Sequence, residues 1–203
     1  MYRIILASES PRRREIMETM GIPFEAMASN VPEIVTETEP AEMVQALGAI
    51  KTKSIVSILN KQEKENGEFI VIGADTMVFY QGHALGKPKD EADAIRILQM
   101  LSDDTHEVYT GVSIVIKSCN KEAEKLSFAV CTKVTVQPLS KEQIEDYVAT
   151  GEPMDKAGAY AIQGKFGIFI KEISGDYYNV MGYPIAKIHE TLLNHGIDIK
   201  KLN

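Results

Sequence analysis

Three consecutive arginines, Arg12, Arg13 and Arg14, follow a Ser8-Glu9-Ser10-Pro11 turn, an unusual place for basic residues. Ser10 is of the type that caps a helix and Pro11 of the type that opens one, so the arginines fall in the first turn of a helix predicted over Pro11 to Met20. A helix N-terminus carries partial positive charge, and cations there cost about 0.3–1 kcal/mol each. Charge placed against local stability calls for another reason. Helix-end amides, the Ser8 and Ser10 hydroxyls and the guanidinium groups of Arg12 and Arg13 can converge on phosphate oxygens. The plainer reading, a solvated basic face, stays open at this stage. No GxxxxGK[ST] loop occurs, so any such cradle differs from a Walker loop.

Two further charges stand out. Lys51 falls on the apolar stripe of a predicted helix, among Val44, Leu47 and Ile58. Either its stem packs while the ammonium reaches water, or the ammonium is delivered to a phosphate. Asp75 follows Val71-Ile72-Gly73-Ala74, a run too apolar to be exposed, and an unpaired buried carboxylate is costly. It reads as a turn or capping residue, or as a metal ligand or general base beside two small residues that admit a ligand. Lys87, in Gly86-Lys87-Pro88, adds a cation on a stiff loop and means little alone.

The elements that must position these residues alternate. Arg3 to Ala7 reads as a buried strand, Pro40 to Asn60 as a long helix and Phe69 to Ala74 as a second buried strand ending at Asp75-Thr76. Asp90 to Leu101 is helical, and Val108 to Ile116 with Leu126 to Val136 reads as a hairpin. Ser140 to Ala149 is a helix opened by a capping box of Ser140 and Gln143. Phe166 to Ile173 is a strand and Pro184 to Asn194 a closing helix. This order predicts an α/β fold, a mixed sheet with flanking helices. Ser8 and Asp75 then lie at the carboxyl ends of their strands, where ligands bind in such sheets.

Composition bounds the function. A chain of 203 residues, 44% hydrophobic and 25% charged, suits one domain or one domain with two lobes. No apolar run approaches the roughly 20 residues of a membrane span, and the start lacks a signal-peptide pattern, so a cytoplasmic protein without membrane attachment is expected. A net charge of −7 argues against coating nucleic acid but leaves a small polyanion possible. Cys119 and Cys131 read as reduced structural thiols, and the four histidines have no metal-ligand spacing.

Leu6-Ala7-Ser8-Glu9-Ser10-Pro11-Arg12-Arg13 with Glu15-Ile16 resembles the opening signature of the Maf family of nucleotide pyrophosphatases. Gly73-Ala74-Asp75-Thr76, Gly86-Lys87-Pro88 and Thr110-Gly111-Val112 match further family motifs in order. Gly151-Glu152-Pro153, Asp155 to Tyr160 (DKAGAY) and Ile162-Gln163-Gly164 resemble the subfamily acting on dTTP and UTP rather than the one preferring 7-methyl-GTP. The resemblance implies a single Maf-like domain over residues 1–203, elongated, with a cleft between two lobes, as in inosine-triphosphate pyrophosphatases.

It also implies Asp75 as the proton acceptor, and Arg12, Thr76 and Gln163 at specificity positions. Ser8, Ser10, Arg13, Lys51 and Lys87 would meet phosphate, and Lys156 would line the cleft. The reaction expected is attack of water on the α-phosphorus of a nucleoside triphosphate, giving the monophosphate and pyrophosphate. Mg²⁺ or Mn²⁺ would assist, held by Asp75 and, among further carboxylates, Glu33 or Glu42. A homodimer is implied, as is an association with arrest of septum formation. That association leaves a nucleotide-sensing regulator as a second reading, and a single-strand nucleic-acid binder is disfavoured by the charge. Gly48, Thr52, Ala161 and Tyr183 depart from the residues usual in the family.

Overall fold

The computed structural model describes residues 2–62, 67–119 and 121–202. The chain forms two compact units: Met1–Asp75, Thr110–Ala129 and Gly182–Asn203 make the first, Thr76–Tyr109 and Val130–Met181 the second. Strands β1 (Arg3–Leu6), β2 (Glu25–Ala26), β3 (Phe69–Tyr80), β4 (His83–Leu85), β5 (Thr105–Lys117), β6 (Glu124–Val136) and β7 (Ile170–Ser174) belong to one mixed sheet among the described residues. Its order is β2-β1-β3-β5-β6-β7, with β4 paired to β3. Helices α1 (Pro11–Thr19), α2 (Pro40–Gln62), α3 (Glu91–Leu101), α4 (Lys141–Ala149), α5 (Tyr177–Val180) and α6 (Ile185–Asn194) complete the α/β fold that the alternation of elements predicts.

In the first unit β1 runs parallel to both β2 and β3, pairing Leu6 with Ile72. Strands of such a ladder carry continuous apolar runs, and Ile70, Val71 and Ile72 are fully buried. The core joins Ile5, Phe69, Val71 and Val115 of the sheet to Ile55 and Leu59 of α2. Ile58, expected on the buried stripe of α2, lies at its edge and is 37% exposed.

The backbone of α2 comes unusually close to the sheet. A Cβ on Gly111 of β5 would stand 2.1 Å from the carbonyl carbon of Val44, and one on Gly73 of β3 would stand 2.9 Å from Gly48 O. Only hydrogen at these positions lets the helix sit so low. Thr52 is buried in the same contact and shares a 2.9 Å hydrogen bond with Ser113. Gly48 and Thr52 thus occupy the helix–sheet seam about one turn before and one residue after Lys51.

In the second unit α3 and α4 pack on Val78, Val108, Val134 and Phe166. The expected capping box is present: Ser140 Oγ accepts from Gln143 N at 3.1 Å, and Gln143 Oε1 accepts from Ser140 N at 2.8 Å. The segment expected as a strand from Phe166 is a 3-10 turn over Lys165–Phe169, and only Ile170 onward is extended. Phe166, wholly buried with ring centroids of Tyr147 and Tyr160 each 5.0 Å away, anchors that turn. Cys119 and Cys131 are free and exposed, so neither is the packed structural thiol expected from cytosolic usage.

His106 is 1% exposed, with Nε2 2.7 Å from the Tyr160 hydroxyl. Burial pushes its imidazole from the ordinary 6.5 down to about 4, against a smaller opposing pull from Asp104. The fold therefore holds His106 neutral, whereas the unfolded chain protonates it below its ordinary value. Its contribution to stability is complete above about 6.5 and falls as pH drops towards 4, because the unfolded state binds more protons there. The urea midpoint is expected to fall between pH 7 and pH 5, and less so in His106→Gln.

Candidate active site

β1 ends at Leu6 while β3 continues to Tyr80, so the sequence expectation that β3 stops at Asp75 is corrected. In the extension, Val78 to Tyr80 gain a second partner. Val78 pairs with Leu85 and Tyr80 with His83 of β4, across a two-residue turn in which Gln81 (φ 49°) and Gly82 (φ 79°) are both left-handed. Gln-Gly is a weaker hairpin signal than Asn-Gly, which hid this turn in the sequence. Beyond the carboxyl end of β1 the edge of β3 is released, and the chain turns through Ser8 into α1.

Arg13 fills that space. Its Nε donates to Gly182 O at 2.8 Å, and its Nη1 donates to Ala74 O at 2.8 Å and to Ser8 Oγ at 3.1 Å. Ser8 Oγ also accepts from Ser10 N at 3.1 Å. Arg13 is 8% exposed, and burial pushes its guanidinium below the ordinary value, while Asp75, Tyr183 and Glu33 favour its charge. The fork expected to meet phosphate oxygens meets main-chain carbonyls, tying the start of α1 to the residue before Asp75. Arg12 is half-buried and Arg14 exposed. Ser10 makes no side-chain cap on α1, contrary to expectation, and its backbone N–H donates to Ser8 Oγ.

The chemistry-bearing cluster lies one residue further along β3. Lys51, carried to the sheet by the low-lying α2, places its ammonium against Asp75 Oδ1, 3.3 Å from Glu33 Oε1 and 3.5 Å from Ala74 O. The side chains of Lys51 and Asp75 are 13% and 16% exposed, and that of Glu33 is 43% exposed. Lys51 therefore does not snorkel to water. Its ammonium is held by two carboxylates at a site still open on the Glu33 side. Glu42 is exposed and makes no contact with this cluster among the described residues.

Among the described residues no three His, Cys, Asp or Glu side chains converge as a ready metal cage. The donor set nevertheless fits a hard divalent ion. Asp75 and Glu33 already share one cation, the Lys51 ammonium. Mg²⁺ commonly takes one or two carboxylates and completes its shell with water and substrate phosphate.

The other expected residues belong to the second unit. Thr76 is half-buried in β3, Lys87 is exposed after β4, and Lys156 is ion-paired with Asp155. Gln163 is exposed in the turn after Ala161, and its amide makes no hydrogen bond among the described residues. What sequence reasoning missed is the main chain: the carbonyls of Ala74 and Gly182 carry no signal in side-chain chemistry. Tyr183, wholly buried beside Arg13, was visible only as an unusual residue before Pro184.

A family model described as Maf-like protein matches residues 3–195. A dTTP/UTP pyrophosphatase of Lachnoclostridium phytofermentans is 47% identical over 201 residues, 99% of either chain. One of Agathobacter rectalis is 43% identical over 205 residues, covering 98% of this chain and 100% of that one. The Ham1 protein of Staphylococcus aureus aligns at 15% identity with a TM-score of 0.45, over 95% of this chain and 99% of that chain. With its opening signature, its Asp75 motif and nearly its whole length matched, the chain belongs to the Maf family.

Proposed function

We propose that this chain hydrolyses dTTP and UTP to the nucleoside monophosphate and pyrophosphate. The observation that carries the reading is the Asp75–Lys51–Glu33 cluster, a nearly buried carboxylate held beside a cation and open on one side. The names of two relatives that match it end to end supply the substrate class.

In the reaction, a water oxygen attacks the α-phosphorus and the bond from that phosphorus to the bridging oxygen of the β-phosphate breaks. Asp75 orients the water and accepts its proton, and pyrophosphate leaves. Lys51 neutralises charge that builds on the phosphate oxygens, an effect strengthened by its partial removal from water. Arg12 and the amides at the start of α1 supply further positive potential, and Arg13 holds that segment in place. Asp75 and Glu33 would hold Mg²⁺ or Mn²⁺, whose bound charge would screen the triphosphate. Gln163 offers one donor and one acceptor, matching the edge of uracil or thymine. A homodimer belongs to the same reading, and light scattering on the purified chain tests it.

Pyrophosphate release is to be measured from dTTP, UTP, CTP and 7-methyl-GTP with Mg²⁺ or Mn²⁺. The expected result is activity concentrated on dTTP and UTP. No release from any triphosphate by folded, metal-supplied protein would overturn the reading, and preference for 7-methyl-GTP would overturn its substrate class.

A further inference from the structure

Gln163 sits in an exposed turn, yet the backbone on either side of it is pinned from beneath. Tyr147 of α4 places its hydroxyl 3.3 Å from Ala161 N, which donates to it, and that hydroxyl donates to Glu152 Oε1 at 2.9 Å. Glu152 Oε2 accepts from Lys165 N at 3.1 Å. One phenol and one carboxylate thus grip the chain two residues before Gln163 and two residues after it. Between these points Gly164 N donates to Ala161 O at 3.1 Å, closing the turn.

The carboxylate also fills the space under Gly164. A Cβ there would stand 2.2 Å from Glu152 Oε1 and 2.5 Å from Oε2, so no side chain fits while Glu152 keeps its place. The grip is rigid at its base. Tyr147 is 4% exposed, and its ring lies 5.0 Å from that of the wholly buried Phe166. Burial, with Glu152 second, pushes the phenol above its ordinary value, so it stays a hydroxyl that can donate and accept at once. The Gly-Glu-Pro motif and the Ile-Gln-Gly motif are therefore two ends of one hydrogen-bonded device, separated in sequence and joined through Tyr147.

We propose that Glu152 and Tyr147 are positioning residues that preorganise the Ala161–Lys165 turn so that the Gln163 amide is presented in one orientation, giving discrimination among pyrimidine bases. The proposal rests on the assignment of Gln163 to the base edge. A mobile amide can turn over and offer donor for acceptor, which would erase the distinction between a uracil and a cytosine ring. Preorganisation keeps the wrong base facing an unpaired polar group, and this mismatch makes hydrogen-bonded recognition selective.

The test compares wild type, Tyr147→Phe, Glu152→Gln, Gln163→Ala and the Tyr147→Phe/Gln163→Ala double variant in the full-length chain. The readouts are the ratio of kcat/KM for dTTP to that for CTP, and amide hydrogen exchange over residues 161–165. The ratio is taken within one sample, so it is insensitive to a partly unfolded fraction. Tyr147→Phe and Glu152→Gln are expected to speed exchange in the turn and lower the ratio about tenfold, the scale of one lost hydrogen bond. In the double variant the ratio should fall no further than in Gln163→Ala, because the two changes remove one effect. Unchanged exchange, or equal losses on dTTP and CTP, would overturn the positioning role while leaving the base-reading role of Gln163 standing. A ratio unaffected by Gln163→Ala would overturn both. Wild-type protein inactive on every triphosphate would instead sink the hydrolase reading and take the proposal with it.

Discussion

Asp75→Asn is expected to lower pyrophosphate release from dTTP by about 10²–10⁴-fold, the range for loss of a general base, while nucleotide binding stays measurable. Asparagine keeps the size of the side chain but cannot accept the proton of the attacking water. Lys51 loses its main ionic partner, yet it retains Glu33 at 3.3 Å and the Ala74 carbonyl at 3.5 Å, so the fold around α2 should persist. Asparagine keeps an oxygen donor for a divalent ion and Glu33 keeps its carboxylate, so binding of a non-hydrolysable dTTP analogue should weaken far less than turnover. The measurement is steady-state turnover beside calorimetric binding of that analogue. Turnover within a few-fold of wild type would take Asp75 out of the reaction, and loss of binding together with turnover in folded protein would make its role metal and nucleotide binding rather than proton transfer.

Gly111→Ala carries the largest expected effect on stability, although it adds only one methyl group. Its Cβ would lie 2.1 Å from the Val44 carbonyl carbon and 2.4 Å from Gln45 N, both main-chain atoms that no side-chain rotation can move. The helix itself must lift. Overpacking of a tight core costs about 1–3 kcal/mol, and an unyielding backbone contact belongs at the upper end. For a chain of this length that corresponds to a fall in Tm of about 6–12 °C. Lys51 rides on the same helix, so activity should fall further than the folded fraction explains. Calorimetry and turnover on one preparation test both parts. A melting temperature unchanged by the substitution would mean that α2 does not sit as low on β5 as described.

Much of the architecture was legible in the chain because it depends on neighbours. Pro11 opens α1, the Ser140/Gln143 box opens α4, and the apolar run of Phe69 to Ala74 lies on the buried part of β3. These signals work through hydrogen bonds and periodicities spanning four residues or fewer. The candidate site was legible in part for a different reason. Arginines in a helix's first turn, a lysine on an apolar stripe and a carboxylate in a buried run each oppose local stability, and such conflicts mark places shaped by something other than folding.

Sequence alone determined which residue types could handle a polyphosphate, the mixed α/β class and most helix boundaries. Only tertiary structure decided which charges meet. Lys51 finds Asp75 across 24 residues and Arg13 finds Ala74 across 61 and Gly182 across 169, separations at which periodicity carries no information. It turned Arg13 inward because the space beyond the end of β1 holds carbonyls that need donors, and buried backbone acceptors are rarely left unpaired. It also extended β3 past Asp75, because β4 supplied the partner its edge required. Local pattern sets what each segment can become; close packing of segments distant in the chain sets which side chains share a site.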